Sequence, residues 1–314
     1  MSIAFFFPGQ GSQSLNMMSG FNDMDIVKQT FEQASSVLDQ DLWALMNGDD
    51  AASLNETVNT QPLMLTAGVA VWRVYQQLNG QVPSVVAGHS LGEYTALVAA
   101  ESLDFTDAVK LVRLRAQLMQ NAVPQGQGAM AAILGLDDQI VRQVCAEAEQ
   151  ELTGAVAEAV NYNSPGQIVI AGSTETINRA CELAKTAGAK RALLLPVSVP
   201  SHCRLMKPAA EQLSQALVNV QVNAPQITVL HNVDVSAHYD ADGIKNALVQ
   251  QLYSPVRWTE TVEKLVKEGI TDYAECGPGK VLAGLAKRID KSMVCAALTS
   301  LESVENFISS HPVN

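Results

Sequence analysis

With 314 residues, 47% of them hydrophobic, the chain is long enough for one large α/β domain carrying a smaller one, around a sizeable core. A formal net charge of −12 argues against nucleic acid or an anionic membrane as the main partner, since both need a positive surface. Five scattered cysteines (Cys145, Cys181, Cys203, Cys276, Cys295) without a C-x-x-C pair indicate neither a disulfide framework nor a metal site.

Taken in order, Ser2 to Phe7 has no basic lead-in and is too short for a signal segment or a membrane span, so the expected compartment is the cytoplasm. Ile3 to Phe7 reads as a first buried strand, closed by Pro8-Gly9-Gln10-Gly11-Ser12-Gln13. Ser14 stands where a dinucleotide fingerprint needs its third glycine, so no nicotinamide or flavin is expected. A glycine-flanked Gln10 instead fits a backbone that approaches a ligand closely. Ile26 to Leu38 and Leu63 to Leu78 show helical spacing, with Asp41-Leu42-Trp43 and Thr60-Gln61-Pro62 as helix starts.

Val85 to Gly88 reads as a buried strand that breaks at Gly88-His89-Ser90-Leu91-Gly92 and continues into a helix over Glu93 to Ala100. Strand, sharp turn and helix are the context of a G-x-S-x-G nucleophile elbow, in which glycines avoid collisions and the serine projects at a helix amino end. Asp104 to Asp107 begins a helix that carries Arg113 and Arg115. Two residues apart, they face differently, so at most one points into a site and either reads equally as a surface arginine.

Texture changes at Val123 to Gly128. Beyond it the pattern is strand (Ala129 to Leu134), helix (Asp137 to Glu149), strand (Val156 to Asn161), strand (Gln167 to Ala171), helix (Thr174 to Ala187) and strand (Arg191 to Val197). This β-α-β-β-α-β order is the ferredoxin-like split unit, so a second domain over 126–197 is expected inside a large α/β domain formed by 1–125 and 198–314. Asn161 to Gly166 reads as a hairpin turn or as lining for a cleft between the domains, with Asn161, Asn163 and Ser201 as the lining candidates.

A serine nucleophile needs a base. Among five histidines, His89 adjoins Ser90 but points elsewhere from the turn, whereas His202 lies in a loop after a strand and before a helix over Lys207 to Leu217. On spacing alone His202 reads as a base or as a structural histidine. Strands over Ile227 to Asn232 and Asp272 to Glu275 and helices over Ile244 to Leu252 and Val262 to Lys267 follow. Gly277-Pro278-Gly279-Lys280 is no P-loop, because Val281 replaces the magnesium-binding hydroxyl.

Phe7 to Gln13, Thr60-Gln61-Pro62, Gly88 to Tyr94, Asn161 to Gln167, Val199 to Cys203 and Glu275 to Gly279, in this order, together resemble the malonyl-CoA:acyl carrier protein transacylases of bacterial fatty acid synthesis. The resemblance covers almost the whole chain. It implies an α/β-hydrolase-like core with a ferredoxin-like insertion, and ping-pong transfer of malonyl from malonyl-CoA to the phosphopantetheine thiol of acyl carrier protein. No cofactor or metal is implied, coenzyme A being a product. Ser90 then matches the nucleophile and His202 the base, while the backbone N–H groups of Gln10 and Leu91 match the oxyanion hole. Arg115 matches the residue that grips the malonyl carboxylate, and Gln251 the one whose main-chain carbonyl orients the histidine. Gln250 stands where some relatives carry a basic residue, which bears on a contact at the rim.

The implied carrier is acidic, so an acidic enzyme needs a local basic face. Lys190-Arg191 and Lys287-Arg288 are the candidates, the alternative being scattered solvated charges. A monomer is expected. A serine esterase shares the elbow but wants an acidic triad member, and an idle binding module could lose Ser90 or His202; both are present.

Overall fold

The computed structural model describes residues 2–152 and 154–312. Ile3–Phe7 forms β1, followed by α1 (Asp25–Leu38), α2 (Leu42–Asn47), α3 (Ala51–Asn55) and α4 (Thr57–Gln77). Then come β2 (Val85–Gly88), α5 (Gly92–Ala99) and α6 (Phe105–Asn121). The next stretch holds β3 (Gly128–Leu134), α7 (Asp138–Glu151), β4 (Ala157–Ser164), β5 (Gln167–Ser173), α8 (Thr174–Thr186) and β6 (Arg191–Leu194). The chain continues through α9 (Lys207–Leu217), β7 (Thr228–Leu230), α10 (Ala241–Gln251), α11 (Trp258–Lys267), β8 (Asp272–Cys276), α12 (Val281–Ile289), β9 (Cys295–Leu298) and α13 (Leu301–Ser310).

Two sheets result. The first is five-stranded and parallel in the order β7-β2-β1-β8-β9. All of β1 is buried because helices cover both faces: alternate side chains send Phe5 against Trp72 of α4 (ring centroids 5.7 Å apart) and Phe6 against Trp258 of α11 (5.1 Å). The second sheet is antiparallel, order β4-β5-β3-β6, and packs Ala131, Ile133, Ile168 and Ile170 beneath α7 and α8 in a core of its own.

Two expectations are corrected, and three elements are added. α4 starts at Thr57, ahead of Pro62, rather than at Thr60-Gln61-Pro62. Proline favours a helix start because it lacks an N–H, but here the Glu56 carbonyl accepts from Asn59 and Thr60, and Thr60 Oγ1 bonds the Leu54 carbonyl at 2.7 Å, so the turn before Pro62 is held independently. β4 runs on through Asn161, Tyr162 and Asn163, leaving the turn to Pro165-Gly166. Its extension comes from pairing with a distant segment: Tyr162 N–H donates to the Val256 carbonyl (3.0 Å) and Val256 N–H to that of Val160 (2.8 Å). α12, β9 and α13 were not expected from the sequence at all.

The turn after β8 is closed to phosphate for a further reason. Glu275, fully buried, places Oε2 2.8 Å from the Ala283 N–H, so its carboxylate already occupies the anion position at the start of α12. No helix among the described residues is long and apolar enough to cross a membrane.

Candidate active site

Ser90 sits between the end of β2 and the start of α5, with a left-handed backbone (φ +52°). The flanking glycines are sterically required: a Cβ on Gly88 would lie 1.9 Å from the Gly92 carbonyl carbon, and one on Gly92 2.0 Å from the Phe7 oxygen. The side chain of Asn232, just after β7, clamps the strained turn. Its Oδ1 accepts from the Ser90 N–H (2.8 Å) and its Nδ2 donates to the Gly88 carbonyl (2.7 Å).

His202 is likewise left-handed (φ +66°), and its N–H donates to the Leu252 carbonyl at 3.0 Å. Its Nε2 lies 2.8 Å from Ser90 Oγ and its Nδ1 2.7 Å from the Gln251 main-chain oxygen. A carbonyl only accepts, so the proton resides on Nδ1 and Nε2 is free to take one from the serine. Burial, reinforced by the Arg115 charge, lowers the His202 pKa to about 3, which keeps the imidazole neutral.

Arg115 is 1% exposed. Nη2 donates to Ser90 Oγ (3.1 Å) and to Gln251 Oε1 (2.9 Å), and Nη1 to Gln61 Oε1 (2.7 Å). Its Nε has no partner, and burial lowers the guanidinium pKa. Arg113 turns the other way and donates to Gln40. Behind the serine, the buried Glu93 carboxylate accepts from His231 Nδ1 (2.7 Å), the Asn232 N–H (2.9 Å) and Gln251 Nε2 (2.9 Å).

A cavity of about 750 Å³ opens over these groups, and Gln10, Leu91, Asn161 and Ser201 line it with Ser90 and His202. The N–H groups of Gln10 and Leu91 donate to no other protein group among the described residues, and Gly9 brings the Gln10 loop so close that a Cβ there would lie 2.4 Å from the His89 oxygen. Asn163 does not line the cavity; its Oδ1 bonds His89 Nε2 at 2.8 Å and fixes that ring away from Ser90. Gln250 is exposed and outside the cavity.

Lys190, Arg191, Lys287 and Arg288 are exposed, and none lines the cavity. They converge nonetheless. Leu134 pairs with Arg191 on one side and Gln167 on the other, and Arg288 Nη1 donates to Gln167 Oε1 at 2.8 Å, so both clusters reach one end of the small sheet.

Sequence reasoning gave no role to Gln61, Glu93, Asn232 or His231. Gln61 and Glu93 lie inside the Thr60-Gln61-Pro62 and Gly88 to Tyr94 motifs, but only the fold shows what they touch. The assembled groups can do acyl transfer: a hydroxyl with a neutral base, two free N–H groups for an oxyanion, and a buried cation beside the reacting oxygen.

Residues 4–305 match the acyl transferase domain family. Among similar proteins, the malonyl CoA-acyl carrier protein transacylase of Haemophilus influenzae is 54% identical over 98% of this chain and 99% of its own length. The structure of an acyl carrier protein S-malonyltransferase from Vibrio cholerae aligns with a TM-score of 0.95 at 54% identity, covering 98% of this chain and 100% of the other. A malonyl-transacylase solved in complex with its type II PKS acyl-carrier protein aligns with a TM-score of 0.97 at 49% identity, over 99% and 100% of the two chains. With full-length similarity of this order and one acyl-transfer site, the chain belongs to the acyl transferase domain family, among the malonyl CoA-acyl carrier protein transacylases.

Proposed function

We propose that the protein transfers malonyl from malonyl-CoA to the phosphopantetheine thiol of an acyl carrier protein through a malonyl ester on Ser90, supplying extender units for fatty acid biosynthesis. The observation that carries this reading is the buried Arg115 guanidinium 3.1 Å from Ser90 Oγ, a cation where only an acyl group ending in an anion gains from it. Ser90 Oγ attacks the thioester carbon while His202 Nε2 takes its proton, and the negative oxygen rests on the Gln10 and Leu91 N–H groups. The C–S bond breaks and the imidazolium returns the proton to the coenzyme A sulfur. In the second half, His202 takes the carrier thiol proton, the sulfur attacks the ester, and Ser90 leaves with that proton. No metal or further cofactor is needed for these steps. The Gln251 carbonyl orients the histidine where an esterase would use a carboxylate.

We read the parallel core as α/β-hydrolase-like (1–125 and 198–314) and the inserted unit (126–197) as ferredoxin-like, supported by the elbow after β2 and by the separate core of the antiparallel sheet. The site is complete within one chain, which supports a monomer, and the compartment we propose is the cytoplasm.

Substituting His202 by alanine is expected to slow acylation by a factor on the order of 10² to 10⁴. The base works only when unprotonated, so a pKa lowered from 6.5 to about 3 keeps it competent as pH falls. Rapid-quench acylation in the wild type should therefore show no loss as pH drops through 6.5. A limb there would mean a solvated imidazole.

The carrier is expected to dock on the basic end of the small sheet. Changing Lys190, Arg191 and Lys287 to glutamate should raise the KM for carrier about tenfold and reverse the sign of its salt dependence, leaving free coenzyme A as acceptor unaffected. Equal losses with both acceptors would remove the docking role, and a carrier reaction untouched by all three changes would place docking elsewhere.

A further inference from the structure

Thr60-Gln61-Pro62 takes no part in the steps above, yet Gln61 is 1% exposed and bonded to the substrate-selecting arginine. The early start of α4 places Thr57 and Gln61 one turn apart on one face. Gln61 Nε2 donates to Thr57 Oγ1 (3.2 Å), and Thr57 Oγ1 donates to Gln10 Oε1 (3.0 Å). A guanidinium only donates, so the amide is fixed with its oxygen towards Arg115. Of its other two acceptors, Ser90 Oγ is a hydroxyl and Gln251 Oε1 is also an amide oxygen, and the Gln251 amide separates Arg115 from the buried Glu93. None of the ion pairs among the described residues includes Arg115.

A buried arginine ordinarily finds a carboxylate. Here three neutral oxygens, of the Gln61 and Gln251 amides and the Ser90 hydroxyl, hold the guanidinium in place, and no carboxylate among the described residues bonds it directly, Glu93 acting on it only across the Gln251 amide. We propose that Gln61 is a specificity-determining residue: its neutral oxygen positions Arg115 without neutralising it, so that the substrate's own carboxylate must supply the counter-charge. The proposal rests on the malonyl reading. A carboxylate at this position would act as a resident counter-ion, weakening the gain for malonyl and relieving the penalty against an uncharged acyl group.

The test compares Gln61→Glu, Gln61→Met and wild type in acylation by malonyl-CoA and acetyl-CoA. Gln61→Glu should lower the malonyl-to-acetyl ratio of kcat/KM by on the order of 10², with malonyl-CoA losing through KM and acetyl-CoA gaining in absolute rate. Gln61→Met removes the bond without adding charge, so it should cost malonyl-CoA about tenfold with no acetyl-CoA gain. Loss of structure alone would depress both substrates, so the acetyl-CoA gain is the discriminating readout. A ratio that survives Gln61→Glu, or an acetyl-CoA gain in Gln61→Met matching that in Gln61→Glu, overturns the role of Gln61. A wild type that does not prefer malonyl-CoA overturns the malonyl reading and this inference with it.

Discussion

Replacing Arg115 by alanine is expected to collapse the preference for malonyl-CoA over acetyl-CoA by a factor that can reach on the order of 10⁴. Malonyl differs from acetyl by a terminal carboxylate, and a buried guanidinium can bind it through charge-assisted hydrogen bonds of about 1.5 to 3 kcal/mol each. Acetyl leaves the same cation desolvated and unmatched. The substitution removes both the attraction and the penalty, so the ratio falls chiefly through loss of malonyl while labelling of Ser90 by an uncharged thioester persists or improves. It also removes a charge that helps depress the His202 pKa, so the acid limb of the acylation profile should move upward. Arg113→Ala is the control, because that side chain turns away to Gln40. Steady-state kcat/KM for the two thioesters checks the assignment, and a ratio that falls in Arg113→Ala but holds in Arg115→Ala would refute it.

Ser90→Ala should abolish the covalent intermediate and lower transfer by on the order of 10⁵ to 10⁶. The change removes one oxygen and no core volume. Alanine carries the same Cβ as serine, so the left-handed backbone at φ +52° is no more strained, and the Asn232 clamp acts on main-chain atoms that remain. The variant should therefore melt with the wild type. Mass spectrometry after mixing with malonyl-CoA tests it, and an adduct of undiminished amount would end the nucleophile assignment.

What the sequence made legible was what is local. The elbow could be read because strand, glycines and helix are contiguous, and the helix start at Asp104 because its side chain caps Thr106 and Asp107 two and three residues on. Arg115 was separated from Arg113 by the resemblance and His202 from His89 by the direction of the turn, and the structure supplies the reason: Arg113 and His89 are each tied to a different amide, Gln40 and Asn163. Gln251 acts on His202 through a main-chain carbonyl, which leaves no signature in a side-chain alphabet. Asn232 and Glu93 reach the elbow only through the β7–β2 pairing and the first turn of α5. The lengthening of β4 depends on Val256, a contact no local pattern encodes.

The most direct test of the account is a two-step labelling of the wild-type protein. It is mixed with malonyl-CoA, digested and mapped by mass, and a parallel sample is chased with holo acyl carrier protein. A single malonyl ester is expected on the peptide containing Ser90, and it should disappear on the chase as malonyl appears on the carrier thiol. Malonyl on another residue, or an ester on Ser90 that is released as free malonate without reaching the carrier, would contradict it.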